Sequence, residues 1–271
     1  MIMQDAITKI AAVQMVSTPE PQENFAAVRR LVAQAVTEGA QLVLLPEYWP
    51  IMGMHETDKV AQAEALGTGP MQALMAEVAM QHRIWLIGGT LPMIASEAGK
   101  VLNTMLVFDP AGNRVMRYDK IHLFSFTKGD ECYDEARTIV PGVQVQTFDA
   151  PFGRVGLSVC YDLRFPELYR AMGECKLIVV PAAFTYTTGN SHWETLLRAR
   201  AIENQCYVLA AAQGGRHRNG RRTWGHSMLI DPWGEIKAVL DEGEGIVIGA
   251  FEPNVLQGVR ESLPALLHRK L

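Results

Sequence analysis

The sequence has little that would tie it to nucleic acid, a membrane or a metal. Its 25 Lys and Arg are outnumbered by 29 Asp and Glu, giving a net charge of −4. That balance excludes a general binder of polyanions. No uncharged apolar run reaches the length of a bilayer span. The opening stretch MIMQDAITKIAAVQMV has Asp5 ahead of a short apolar segment and no basic lead-in. It therefore reads as a first strand rather than a signal peptide, in a cytoplasmic protein. There is no HExxH, no paired-cysteine metal spacing, no phosphate-binding P-loop and no GxGxxG, so neither a metal nor an organic cofactor is expected. Cysteine is scarce: Cys132, Cys160, Cys175 and Cys206, with no CxxC pair. In a reducing compartment these are free thiols, and each by default is a small core residue.

What is present is an ordinary globular chain. Its 271 residues are 48% hydrophobic and 20% charged, enough to bury a sizeable core without disulfide staples. No linker, low-complexity segment or solenoid repeat divides it, so residues 1–271 read as one domain. Apolar runs at Ile7–Val16 and in QLVLLPE predict buried strands. Between them Phe25, Val28, Leu31, Val32, Ala35 and Val36 form a helical stripe that Gly39 would cap. A helix over Met71–His82 precedes a strand over Ile84–Thr90. Hairpins follow at Val101–Phe108/Arg114–Tyr118 and Val145–Phe148/Arg154–Val159, each around Pro and Gly turn residues. Lys120–Gly142 shows no period and reads as a long ordered loop. A short helix over Phe165–Met172 and strands at Lys176–Val180, Cys206–Ala212 and His226–Ile230 come next. Ser191, with Glu194 three residues on, predicts the N-cap of a helix to Asn204. Strands at Glu235–Leu240 and Gly245–Phe251 and a helix over Pro253–Ser262 complete an α/β pattern of βα units mixed with hairpins.

Three residues stand where an apolar strand gives way to a loop. Cys160, in GLSVCYDLRFPE, follows a strand and precedes a helix, whose N-terminus would favour the thiolate. Only a few per cent of a thiol with pKa about 8.5 is ionised at pH 7, so a nucleophilic cysteine needs a base or a cation beside it. Glu47, in LVLLPEYW, would serve as a general base if partly desolvated. Lys120, in RYDKIHLF, would polarise a carbonyl or hold an oxyanion. Taken singly, each has a plain reading: core thiol, loop carboxylate, surface lysine. A Cys-His enzyme with His122 or His192 as the base is a rival.

The combination, in this chain order, resembles the nitrilase superfamily of carbon–nitrogen hydrolases, over essentially the whole chain. PAAFTYTTG, AAAQGGRH and GHSMLIDPWGE further downstream resemble the amidase branch that acts on deaminated glutathione and on omega-amides. The resemblance implies a four-layer α-β-β-α sandwich, assembled as a homodimer or higher homo-oligomer. It implies that Cys160 attacks an amide carbonyl, that Glu47 is the general base and acid, and that Lys120 with the backbone N–H of Tyr161 holds the oxyanion. It implies that Glu135 orients the lysine or substrate, and that Arg164, Phe184 and Thr185 contact the substrate. For Arg164 a fork to a substrate carboxylate competes with a structural pair to Asp162 or Glu167. The GRHRNGRR loop, with Arg216, Arg218, Arg221 and Arg222, either draws in an anionic substrate or is a solvated hairpin tip. The expected reaction is hydrolysis of a small carboxylate-bearing amide through a cysteine thioester, with release of ammonia. Alternatives are nitrile or carbamoyl-amide hydrolysis on the same triad, or a catalytically silent binding protein on the same fold.

Overall fold

The computed structural model describes residues 8–129 and 131–270. The reading of the first seven residues, Ile7 as a strand start included, lies outside them. The chain opens with β1 (Thr8–Gln14), α1 (Pro21–Thr37), β2 (Ala40–Leu44), a single turn α2 (Asp58–Ala61) and α3 (Pro70–His82). It continues through β3 (Trp85–Ile87), β4 (Leu91–Ile94), β5 (Val101–Phe108) and β6 (Arg114–Asp119). A small hairpin follows, β7 (Ser125–Lys128) with β8 (Glu131–Asp134), and then β9 (Thr147–Ala150) and β10 (Gly153–Leu157). Next come α4 (Pro166–Ala171), β11 (Leu177–Ala182), α5 (Tyr186–Asn204) and β12 (Tyr207–Ala212). The last part holds β13 (Gly214–Arg216), β14 (Arg222–Trp224), β15 (Ser227–Ile230), β16 (Ile236–Leu240), β17 (Gly245–Phe251) and α6 (Pro253–Ser262).

Two sheets carry the molecule. One runs β17-β1-β2-β3-β5-β4 with β6 also on β5, and the other runs β16-β15-β12-β11-β10-β9. The physical reason for two sheets lies in β1, which is apolar on both faces. Ile10 and Ala12 point into a core shared with Val155, Leu157, Val179 and Leu209 of the second sheet. Ala11 and Val13, on the opposite face, meet Phe25, Val28, Leu31 and Val32 of α1 and Met75 and Val78 of α3. Trp193, Leu197 and Ala201 of α5 cover the far side of the second sheet. The layers are thus helix, sheet, sheet, helix, as the resemblance implied. A fully apolar strand has no polar face to show solvent, so it must be sandwiched. Among the described residues no helix is long and apolar enough to cross a membrane.

Three local expectations are corrected. The segment Lys120–Gly142 is not a bare loop: it contains the β7–β8 hairpin and a 3-10 turn over Glu135–Arg137. That hairpin is short and mostly polar, so no alternation of apolar residues marks it. Ser191 does not cap a helix; α5 begins five residues earlier, at Tyr186, and the Thr185 hydroxyl accepts the Thr188 N–H at 3.2 Å as the cap. Cys132 is exposed on β8 rather than in the core, whereas Cys175 and Cys206 are buried as expected.

Candidate active site

Glu47 sits three residues beyond β2, on a lead-in fixed from both sides. Leu45 N–H donates to the Ile87 carbonyl at 2.9 Å and Thr90 N–H to the Pro46 carbonyl at 3.3 Å. Gly89, with φ +48°, lies so close beneath the Leu45 and Pro46 carbonyls that a Cβ there would collide with both. The next residue, Tyr48, is held at φ +57°, with its N–H on the Thr90 hydroxyl at 3.0 Å. Glu47 is thereby turned into the interior, 1% exposed.

Lys120 directly follows β6, its N–H on the Asn103 carbonyl at 3.0 Å, and it is fully buried. Its ammonium reaches Glu47 Oε1 at 2.9 Å and both carboxylate oxygens of Glu135, at 2.9 and 2.7 Å. An ammonium has three protons, and all three are donated to carboxylates. Burial alone would depress its pKa, but Glu135 and Glu47 outweigh that and hold it above the usual lysine value. Glu135, on the 3-10 turn, also accepts from the Tyr48 hydroxyl at 2.7 Å and the Phe124 N–H at 2.8 Å. Burial would raise this carboxyl, yet Lys120 and these donors hold it below the usual range.

Cys160 follows β10 and is the first residue of a 3-10 turn, Cys160–Arg164, at φ +48°. A non-glycine residue in the left-handed region stores strain, which the surroundings must enforce. Asp162 enforces it here. This fully buried carboxylate accepts the Val159 N–H at 2.9 Å, the Tyr118 hydroxyl at 2.7 Å and the His122 N–H at 3.0 Å. The His122 ring Nδ1 lies 2.7 Å from Oδ1, the same oxygen that accepts the His122 N–H. The Cys160 thiol shares a pocket wall with the Glu47 carboxylate. Burial, and then the charge of Glu47, push its pKa well up, and Lys120 does not reverse this. The expectation of a helix-stabilised thiolate is corrected: the helix that follows is only six residues long, and the pocket holds two carboxylates against one ammonium. A neutral thiol is the state this charge balance favours.

Glu47 Oε1 also accepts from Asn103 Nδ2 at 2.9 Å, and its Oε2 accepts the Ala183 N–H at 2.9 Å. The structure therefore brings Glu47, Lys120, Glu135 and Cys160 into one cluster. A narrow pocket opens on it, lined by Tyr161, Arg164, Phe184, Thr185, Thr188 and Arg221 among others. Arg164 pairs with neither Asp162 nor Glu167. Its Nη1 lies 3.2 Å from the His192 ring, and its guanidinium lies over Phe184 and Tyr161. Thr185 lines the pocket, though its hydroxyl is engaged at the α5 cap. His122 and His192 are bonded to Asp162 and Arg164, and neither lines the pocket around Cys160.

The basic loop divides by direction. Arg218 pairs with Glu23 at 2.8 Å on the outer surface, and Arg222 pairs with Glu242 at 2.5 Å while lying over the Tyr186 ring. Arg221 turns inward, with Nη2 on the Ala183 carbonyl at 2.9 Å. Sequence reasoning missed Asn103, Asp162, Tyr48 and Ala183. Two of them leave a trace in the sequence: Asn103 is an amide inside the otherwise apolar β5, and Asp162 stands two residues beyond the cysteine. The Ala183 contribution is a backbone N–H, which no side-chain pattern encodes.

The sequence model of the carbon–nitrogen hydrolase family matches residues 9–261. A deaminated glutathione amidase of Synechocystis is 44% identical over 96% of this chain and 97% of its own length. One from Yersinia enterocolitica is 40% identical over 96% and 92%. Among solved structures, Nit3 of Saccharomyces cerevisiae, a member of branch 10 of the nitrilase superfamily, superposes with a TM-score of 0.85. It is 30% identical, with 95% of this chain and 94% of that one covered.

Proposed function

The chain belongs to the carbon–nitrogen hydrolase family, and from that premise we propose that it is an amidase acting through a Cys160 thioester on a small carboxylate-bearing amide, deaminated glutathione first among the candidates. The substrate follows from the names of the relatives at 40–44% identity. The observation that carries the mechanism is the Glu47 carboxylate, which bonds the Lys120 ammonium and lines the same buried pocket as the Cys160 thiol.

The thiol proton passes to Glu47 as sulfur attacks the amide carbonyl carbon. The tetrahedral oxyanion faces Lys120 and the N–H of Tyr161, which lies in the first turn of a 3-10 segment where N–H groups lack intrahelical partners. Lys120 bonds both oxygens of Glu135, so one of those N–H groups turns to the oxyanion while the other keeps Glu135 paired. Collapse breaks the C–N bond, and the amine leaves with the proton held by Glu47. Glu47 then takes a proton from water, which attacks the thioester. The acid is released and the thiol restored. The leaving group is the amine of the substrate chosen: ammonia from 2-oxoglutaramate, and cysteinylglycine from deaminated glutathione. Arg164, on the pocket wall, is the partner for a carboxylate on the acyl side.

The same reading expects a homodimer or higher homo-oligomer in the cytoplasm. All four cysteines are free thiols, and Ile202, Trp233, Leu263 and Leu267 offer exposed apolar surface for assembly; light scattering measures the mass. The functional test is a panel of deaminated glutathione, 2-oxoglutaramate, plain aliphatic amides and the matching nitriles, with released amine or ammonia quantified. Turnover of the carboxylate-bearing amides ahead of the rest is expected. Release from none of them would overturn the substrate class.

A further inference from the structure

A second cavity of about 300 Å³ lies beside the nucleophile pocket, and the two share Phe124, Glu135 and Arg221 as a common wall. Tyr133, Arg137 and Thr138 line it, together with Glu56 and Asp134. Two of its lining residues each hold a buried polar atom without a partner: Oγ1 of Thr138 and Nε of Arg221. Thr138 is only 6% exposed. Arg221 forms no ion pair with any described residue; its side chain has one hydrogen bond, to the Ala183 carbonyl, and lies over the Tyr133 ring at 5.2 Å. An unpaired guanidinium in such a place is costly to the fold unless a ligand supplies the anion.

Glu56 and Glu47 attract this guanidinium through space, but neither is in ion-pair contact with it. Glu56 is tied to Lys59 at 2.6 Å, and Asp134 caps the 3-10 turn through the Ala136 N–H at 3.2 Å. Arg221 is also held firmly. Its N–H rests on Asn219 Oδ1 at 3.0 Å, and Asn219 is anchored to the Gly53 carbonyl at 2.7 Å.

We propose that this cavity is the amine-side subsite, and that Arg221 with Thr138 selects secondary amides whose amine portion carries a carboxylate. This rests on the amidase reading above and deepens it. The division of space supports the assignment. The pocket that holds Cys160 is narrow and has its own arginine, Arg164, which suits a short acyl group with one carboxylate. The roomier cavity has two guanidiniums, the buried Arg221 and the exposed Arg137, and shares Glu135 with the first pocket. A substrate charged at both ends thus has one arginine for each end. The leaving amine is drawn into a space large enough for a dipeptide.

The test compares two substrates with the same acyl half, 2-oxoglutaramate and deaminated glutathione, on the wild type and on Arg221→Gln, Thr138→Val and Arg218→Gln. The quantity read is the ratio of kcat/KM for the secondary amide to that for the primary amide. Arg221→Gln is expected to lower this ratio by roughly tenfold or more, mainly through KM, as befits a lost charge-assisted bond. Thr138→Val, which removes a hydroxyl without a partner in the fold, lowers it by roughly threefold. Arg218→Gln, on the outer face, leaves it unchanged. An unchanged ratio in Arg221→Gln, or an equal loss on both substrates, overturns the proposal and makes Arg221 a structural support for Ala183. If the wild type turns over neither substrate, the amidase reading fails, and calorimetry with cysteinylglycine decides the subsite on its own. Binding lost in Arg221→Gln supports it, and no binding to the wild type overturns it.

Discussion

At the residue scale, the site is a problem of charge balance. Two buried carboxylates, Glu47 and Glu135, face one ammonium and one thiol. Removing Lys120 would leave both carboxylates buried without a countercharge. Lys120→Ala is therefore expected to lower kcat by about 10²–10³, the usual effect of losing an oxyanion donor. It should also destabilise the fold by about 3–5 kcal/mol, as broken buried ion pairs do. Rate measurements paired with thermal melts separate the two effects. The pH dependence has a definite sign. The folded pKa of Lys120 lies above the ordinary lysine value, so its stabilising contribution is complete below about pH 10 and fades only as pH rises through the folded pKa. Glu135 is depressed; its contribution is complete above about pH 4.5 and is lost as pH falls below that through its folded pKa. The gap in melting temperature between wild type and Lys120→Ala should thus hold across the neutral and mildly alkaline range and narrow in acid.

The catalytic side chains are delivered at the scale of the element. Glu47, Lys120 and Cys160 each sit just past the end of a strand, and that placement was legible from apolar runs ending in LPEYW, RYDK and GLSVC. What holds them there was less legible. The Glu47 lead-in depends on Gly89, which belongs to a different strand connection and packs against the Leu45 and Pro46 carbonyls. Gly89→Ala is expected to displace that backbone, costing about 1–3 kcal/mol in stability from left-handed strain alone. It should also lower kcat roughly tenfold or more through misplacement of the carboxylate. Normal kcat with normal stability in this variant would show that the lead-in is set by something else. Cys160 similarly depends on Asp162, whose acceptors gather Val159, Tyr118 and His122 around the strained turn. The α5 start was misjudged because Ser191 and Glu194 reproduce a capping pattern one turn inside a helix already begun at Thr185. The β7–β8 hairpin escaped notice because each strand is only four residues long and carries a single aromatic, Phe126 and Tyr133, paired across it, too little for a period to show.

At the scale of the whole molecule, strand pattern gave an α/β class but not the number of sheets. A two-sheet core requires knowing that β1 is covered on both faces, by α1 and α3 on one side and by the second sheet on the other. The same stacking sets the active site. Glu47 and Lys120 come from the first sheet, Cys160 and the Ala183 N–H from the second, and the pocket opens between them. The basic loop shows the limit of composition most plainly: of its arginines, Arg218 and Arg222 satisfy outer-surface acids while Arg221 turns inward. Direction, not charge count, distinguishes them. The central claim, a covalent acyl group on Cys160, is tested most directly by acid-quenching the protein during turnover of deaminated glutathione and weighing its peptides by mass spectrometry. The account predicts the mass of the keto-acid acyl group on the peptide that contains Cys160, removable with hydroxylamine and absent from Cys160→Ala. Full turnover with no acylated Cys160, or with the acyl group on another residue, would contradict it.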